Sequence, residues 1–265
     1  AQPWATALTG PSTSYTYLGF NLQHPQLQQV AVRQALAALT PVAALRQYLL
    51  RGVADPASSV LLPHHPLAWA APEAHLDPTR AAALLDAAGL PADPQTGERL
   101  TLTLMLSNNP LSYRVGQVLQ QYWAQGGVRL ALQTMDWAGF FTAVSQGRAA
   151  LYIMSWVGDF QPNIYYQLFS QTQWPPAGLN RGRVNDPTLE GWLRRLNTTA
   201  DPQQQQQLAQ QVQMFQHQQQ LYLPLWRLQR MALLRPDLQG YTLHPSGDYR
   251  GLLTVEPAPQ AAPPE

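Results

Sequence analysis

The chain has 265 residues, 45% of them hydrophobic, with eight Trp, eleven Tyr and a formal net charge of +1. That length supports one large domain or two small ones, and either can bury a core. All sixteen basic residues are Arg and no Cys occurs, which excludes lysine Schiff bases, thiol nucleophiles, disulfides and thiolate metal sites.

The Arg residues are spread singly apart from Arg194-Arg195 and the close pair Arg181/Arg183, so no basic stripe points to nucleic acid. No run of about eighteen apolar residues exists to span a membrane as a helix. The opening "AQPWATALTGPSTS" lacks the basic and apolar regions of a signal peptide and reads as linker. "YTYLGFNL", from Tyr15, reads as a strand, and "VAVRQALAAL" and "PVAALRQYLL" as consecutive helices. The Pro-rich stretch between Arg51 and Leu76 has no sustained period, and loops that long are functional or packed on themselves. "DPTRAAALLDAAG" carries full helix punctuation: Asp77 as cap, Pro78 in the first turn and Gly89 as stop. The strand "LTLTLML" follows, then helix "LSYRVGQVLQQYWAQGG", strand "VRLALQT" and helix "DWAGFFTAVSQG", capped by Asp136.

Next comes "YIMSWVGDFQPNIYY" (Tyr152 to Tyr166), an apolar strand that ends in Trp156, Gly158 and a lone carboxylate, Asp159. Only 12% of the chain is charged, against roughly 25% in an average soluble domain, so an acid directly behind such a strand stands out. "NDPTLEGWLRRL" and "DPQQQQQLAQQVQMFQHQQ" read as helices, each with an Asp-Pro start. In the second, Leu208, Val212 and Phe215 share one face, and Gln supplies the wet one. "LYLPLWRLQRMALL" gives one or two strands. The alternation of strands and helices with short connections predicts an α/β layer structure, a single lobe with a mixed sheet and packed helices.

Catalytic constellations are missing from this pattern. No two of the six His stand at helical spacing, and the one with an acid four residues on, His244 with Asp248, lies in the turn "HPSGD" and not on a helix. There is no G-x-S-x-G elbow, no G-x-G-x-x-G and no phosphate loop. Nothing brings together a nucleophile, a base and an oxyanion donor, so the expectation is a protein that is not an enzyme and needs no cofactor.

Five segments resemble, in order, the family 5 extracellular solute-binding proteins, the oligopeptide and dipeptide receptors of bacterial ABC importers. They are "YLGFNLQHPQLQQVAVRQALAAL", "RGVADPASSVLLP", "LDPTRAAALLDAAGL", "WAQGGVRLALQTMDWAGFFTAVSQGRAALYIMSWVGDFQPN" and "LPLWRLQRMALLRPDLQGYTLHPSGDYRGLLTV". The fourth is the most telling, with a W-x-x-F helix and a W-x-x-D strand end at fixed spacing. The resemblance implies one lobe of a type II periplasmic-binding-protein-like fold and covers about half of a typical member. It divides the chain into a crossover from a first lobe (1–14), a solute-binding lobe (15–257) and a disordered tail (258–265). The implied partners are a peptide ligand, the first lobe and the membrane subunits of an importer, in the periplasm or outside the cell. A ligand-sensing module of a bacterial transcription regulator is the alternative.

In that family the acid after the W-x-x stretch takes the free amino terminus of the peptide, and the resemblance gives this role to Asp159. A carboxylate in a partly dry cleft is costly unless a charge-assisted bond pairs it. Trp156 would then be a flat apolar wall, and Gly158 would let the ligand backbone approach. The strand end, Ser155 to Gly158 with Val157 between, would offer main-chain hydrogen bonds that read no side chain. Trp137, in the W-x-x-F helix, is a second wall. From the residues alone, a plainer arrangement competes: Asp159 caps the turn or helix near Asn163, and both Trp belong to the core.

Overall fold

The computed structural model describes residues 4–158 and 160–259. Its strands are β1 (Thr6–Gly10), β2 (Ser14–Phe20), β3 (Ala54–Asp55), β4 (Leu100–Ser107), β5 (Val128–Met135), β6 (Leu151–Val157), β7 (Tyr222–Leu228), β8 (Arg230–Leu234), β9 (Leu238–Gln239) and β10 (Glu256–Pro257). Six of them form a mixed sheet in the order β3-β7-β2-β6-β4-β5. β4 runs parallel to β5 and β6, while β2 is antiparallel to both β6 and β7.

Strand periodicity sorts the sheet into two apolar faces. Leu18 and Phe20 of β2, Leu100, Leu102, Leu104 and Leu106 of β4, and Leu151 and Ile153 of β6 point to one side. Helices α1 (Val30–Ala38), α3 (Pro78–Ala87) and α4 (Pro110–Ala124) cover it, with Leu36, Leu85, Leu119 and Trp123 buried. A short α2 (Val42–Ala44) runs on as a π-helical turn to Leu49. Tyr15, Tyr17, Tyr152 and Met154 face the other way. There α5 (Trp137–Ser145), α6 (Ile164–Phe169), α7 (Pro187–Thr198) and α8 (Pro202–Gln219) bury Phe140, Leu168, Leu193 and Val212. The result is the expected α/β lobe: one mixed sheet between two helical layers.

The helix starts follow their capping chemistry. The carboxylates of Asp77, Asp136, Asp186 and Asp201 accept hydrogen bonds from backbone N–H groups of Arg80, Gly139, Leu189 and Gln203 at 2.9–3.0 Å. Each bond satisfies a donor that the helix itself leaves free, worth about 1 kcal/mol. In α3, α7 and α8 a Pro follows the cap, where its missing N–H is no loss.

Three details depart from the sequence reading. Residues 6–10, read as linker, form an antiparallel ribbon with β8, Thr6 opposite Leu234 and Gly10 opposite Arg230. The Pro-rich stretch packs on the core: Val60 and Leu61 are buried, and Arg227 Nη2 donates to the carbonyls of Ser59, Val60 and Leu61 at 2.7–3.0 Å. The Gln face of α8 is not wholly wet. Gln213 and Gln216 are buried and serve main-chain groups, Gln213 accepting from Trp69 N and donating to Leu67 O, Gln216 donating to Tyr222 O. The end of the chain expected to be a tail lies outside the described residues from 260 onward.

Gly19 of β2 lies opposite Tyr152 of β6, whose buried ring covers it. A Cβ at Gly19 would stand 2.2 Å from Cε2 of that ring, far inside van der Waals contact. Gly19→Ala is therefore expected to destabilise the fold by about 1–3 kcal/mol, the range for overpacking a filled core. Urea denaturation should show a lower midpoint at unchanged slope. An unchanged midpoint would mean that Tyr152 is free to move, contrary to its packing here.

Candidate functional site

The site grows from the end of β6. Trp156 lies opposite Tyr15 in the β2–β6 ladder, and its indole stacks on Tyr17 at 5.9 Å between centroids and 2° between planes. Trp156 is half-buried, with one part of the indole packed and the rest toward solvent. On the opposite face of the sheet, Ser155 Oγ pairs with Thr16 Oγ1 at 2.8 Å, and Val157 is exposed. β4 accompanies β6 only at Leu151 and Tyr152. From Ile153 to Val157 the side of β6 away from β2 therefore has no strand partner among the described residues. Gly158 then turns the chain at φ 152°, a value that strains any L side chain, and a Cβ there would come within 3.2 Å of the Phe160 ring.

Trp137 opens α5 and is 57% exposed. Its ring tilts against Phe140 and Phe141, with centroids 5.7 and 6.0 Å away. The two Trp predicted from the sequence are thus not in one core. They are joined by Arg181, whose guanidinium carbon lies 4.8 Å from the Trp156 ring centroid and 5.2 Å from that of Phe141. A row Tyr17–Trp156–Arg181–Phe141–Trp137 results, aromatic with one cation in the middle. Beneath Trp156 a cavity of about 20 Å³ is lined by Tyr17, Tyr152, Phe169, Arg181 and Tyr222, among others.

The phenols around this cavity are held neutral. Burial raises Tyr17 well above the usual tyrosine range, with the Tyr152 phenol adding to it and the Arg181 charge opposing. Burial likewise raises Tyr152, against the charges of Arg181 and Arg183, and pushes Tyr222 up to about 12. Arg181 is buried, 7% exposed, and its Nε and Nη1 have no hydrogen-bond partner among the described residues.

Among the six predicted site residues, the structure places Ser155, Trp156, Val157 and Gly158 contiguously at the strand end, and Trp137 beyond Phe141 on the same wall. Asp159 lies outside the described residues. Its competing role as a cap is not taken over by Asn163, which makes no side-chain capping bond to α6. Sequence reasoning missed Tyr17, Phe141 and Arg181. The alternation in "YTYLGF" places Tyr17 on the face of Trp156 once the pairing of β2 with β6 is known. No local pattern marks Arg181. No group of three or more His, Asp or Glu fit to hold a metal occurs among the described residues, and no described helix is long and apolar enough to cross a membrane.

Residues 2–176 match the family model for bacterial extracellular solute-binding proteins, family 5 (middle). A probable di/tripeptide-binding protein of Pseudomonas aeruginosa is 28% identical over 243 residues, covering 89% of this chain and 45% of that one. The dipeptide-binding protein of Escherichia coli is 27% identical over 248 residues, covering 90% of this chain and 45% of its own length. Among solved structures, HbpA2 from Haemophilus parasuis superimposes with a TM-score of 0.79 at 27% identity, over 97% of this chain and 50% of that one. The chain spans about half the length of the relatives it matches.

Proposed function

This chain belongs to the bacterial extracellular solute-binding proteins of family 5, and from that membership we propose that it forms one wall of a peptide-binding cleft. In this reading it is the second lobe of a receptor that hands di-, tri- or oligopeptides to the membrane subunits of an ABC importer, in the periplasm or at the cell exterior. The other wall comes from a first lobe. The receptor binds and releases its ligand without chemistry on it, and it uses no cofactor.

The observation that carries the proposal is the combination of a strand edge with no partner among the described residues and a half-buried indole at the end of β6, immediately before Asp159 in the sequence. An extended peptide laid along Ile153–Val157 can form main-chain hydrogen bonds that are independent of its sequence. Trp156 and Trp137 supply flat surface on which side chains of many shapes rest. Gly158, without a side chain, lets the ligand backbone come near. Asp159 takes the ammonium. The relatives named for dipeptides and di/tripeptides support the ligand class.

Calorimetric titration of the full-length gene product with free-amine dipeptides and tripeptides tests this. Binding is expected, and Trp156→Ala should weaken it at least about tenfold, equivalent to about 1.4 kcal/mol; because the indole also packs on Tyr17, the melting temperature of the variant is measured beside its affinity to show that it is folded. Unchanged affinity in Trp156→Ala would remove the wall from the site.

A further inference from the structure

We propose that Arg227 holds a small monovalent anion of chloride size in a cavity beneath the loop 56–70. The site goes beyond the peptide-binding reading and does not depend on it.

Between that loop and β7 lies a cavity of about 90 Å³, lined by Pro56, Ser58, Ser59, Pro63, Trp69 and Arg227, among others. A single water needs roughly 10–15 Å³ of such space, so there is room for an ion. Arg227 is 3% exposed. Its Nη2 donates to the carbonyls of Ser59, Val60 and Leu61 at 2.7–3.0 Å, which ties the loop to the strand. Its Nη1 has no partner among the described residues and is sealed from bulk water.

No group of the protein answers this charge directly. Asp55 lies opposite Arg227 in the β3–β7 ladder, yet its carboxylate accepts from Gln229 Nε2 at 2.8 Å and makes no ion pair with the guanidinium. The Tyr15 ring faces the guanidinium, with 5.1 Å from its carbon to the ring centroid. Burial raises the pKa of Tyr15, Tyr165 and Tyr222, so these phenols stay protonated and carry no charge. A guanidinium stays charged at neutral pH, and a buried charge is costly until it is paired. Carbonyl dipoles on Nη2 and one ring face meet only part of that need.

The chemistry of the walls narrows the occupant. Most are proline, alanine, leucine and indole, and the hydroxyls are engaged, Ser58 with Trp69 O and Ser59 with the Tyr165 phenol. One cationic donor in apolar surroundings suits a weakly hydrated ion of single charge. Phosphate and sulfate carry more charge and more acceptor oxygens than one guanidinium can serve. An anion that binds only the folded loop would also stabilise the protein in proportion to its occupancy. A cluster of waters is the competing occupant.

Crystals of the full-length gene product soaked in sodium bromide, measured at the bromine absorption edge, test this directly. An anomalous peak is expected in the cavity, within hydrogen-bonding reach of the Arg227 guanidinium. Melting temperature is then measured in sodium chloride and in sodium gluconate at equal ionic strength, gluconate being too large for the cavity. General salt effects act on variant and unsubstituted protein alike. The chloride-minus-gluconate difference should therefore be lower in Arg227→Gln by about 2 °C or more. A cavity holding only water, or bromide on the outer surface alone, would overturn the inference. So would a peak beside Arg227 with the same salt response in both proteins, since that means an adventitious ion only. The bromide measurement needs no variant, and it decides the matter if Arg227→Gln does not fold.

Discussion

Arg33→Met is expected to destabilise the protein by about 3 kcal/mol or more. The methionine keeps the length and apolar stem of the side chain, so packing is nearly preserved. What disappears is the hydrogen bonding. Arg33 Nε donates to Gln219 O and Gln220 O at 3.0 Å, Nη1 to Leu27 O and Gln28 O at 2.6 and 2.9 Å, and Nη2 again to Gln219 O. These carbonyls end α8 and the short 3₁₀ turn Pro25–Leu27, where no further helical donor is available. A cation there also meets the negative end of the α8 dipole. Each buried carbonyl left alone costs about 1–3 kcal/mol, and at least two have no other partner within reach of the guanidinium's place. Burial already lowers the Arg33 pKa to about 10, so placing the charge there has a cost of its own, which the methionine variant recovers in part. Chemical denaturation followed by circular dichroism gives the answer. A loss below about 1 kcal/mol would mean that water or a repacked α8 satisfies those carbonyls.

The sheet and its helices were legible because their signals are local. Alternation in "LTLTLML" places four Leu of β4 on one face, and Asp-Pro starts mark α3, α7 and α8 in the first turn of each. The strand end carrying Trp156 was equally open to reading, as an apolar run broken by Gly158. Residues whose roles depend on distant partners were not. β1 finds its partner, β8, more than two hundred residues later, and its own five residues carry no strand pattern that exceeds that of a loop. Arg33 sits in "VAVRQALAAL" like any helical Arg, although its neighbours Val32, Ala35 and Leu36 all face the core. That company was the available hint. Gln213 and Gln216 look like solvent-facing residues of a Gln run until the 67–69 loop and β7 are placed against α8. Arg181 is the extreme case. Its significance lies in what surrounds it, Trp156 from β6 and Phe141 from α5, and neither is close to it in sequence.

The proposed function requires that the end of β6 anchor a peptide by its amino terminus through Asp159. Asp159→Asn in the full-length gene product is expected to preserve the fold, since the amide has nearly the shape of the carboxylate. It removes the charge that meets the ammonium. Deleting one member of a buried charge-assisted bond typically costs about 2–5 kcal/mol, much of it from the charge left unpaired. Affinity for a free-amine dipeptide should fall by about 30-fold or more. The N-acetylated form of the same peptide has no ammonium to lose, so its weak binding should hardly respond. If Asp159 instead caps the following turn, Asp159→Ala should lower stability by up to about 2 kcal/mol with affinity almost unchanged. Titrating wild type and Asp159→Asn with one dipeptide in free-amine and acetylated forms is therefore the direct measurement. A large loss confined to the free amine is the predicted result, and equal affinity of the two proteins for the free-amine peptide would contradict it.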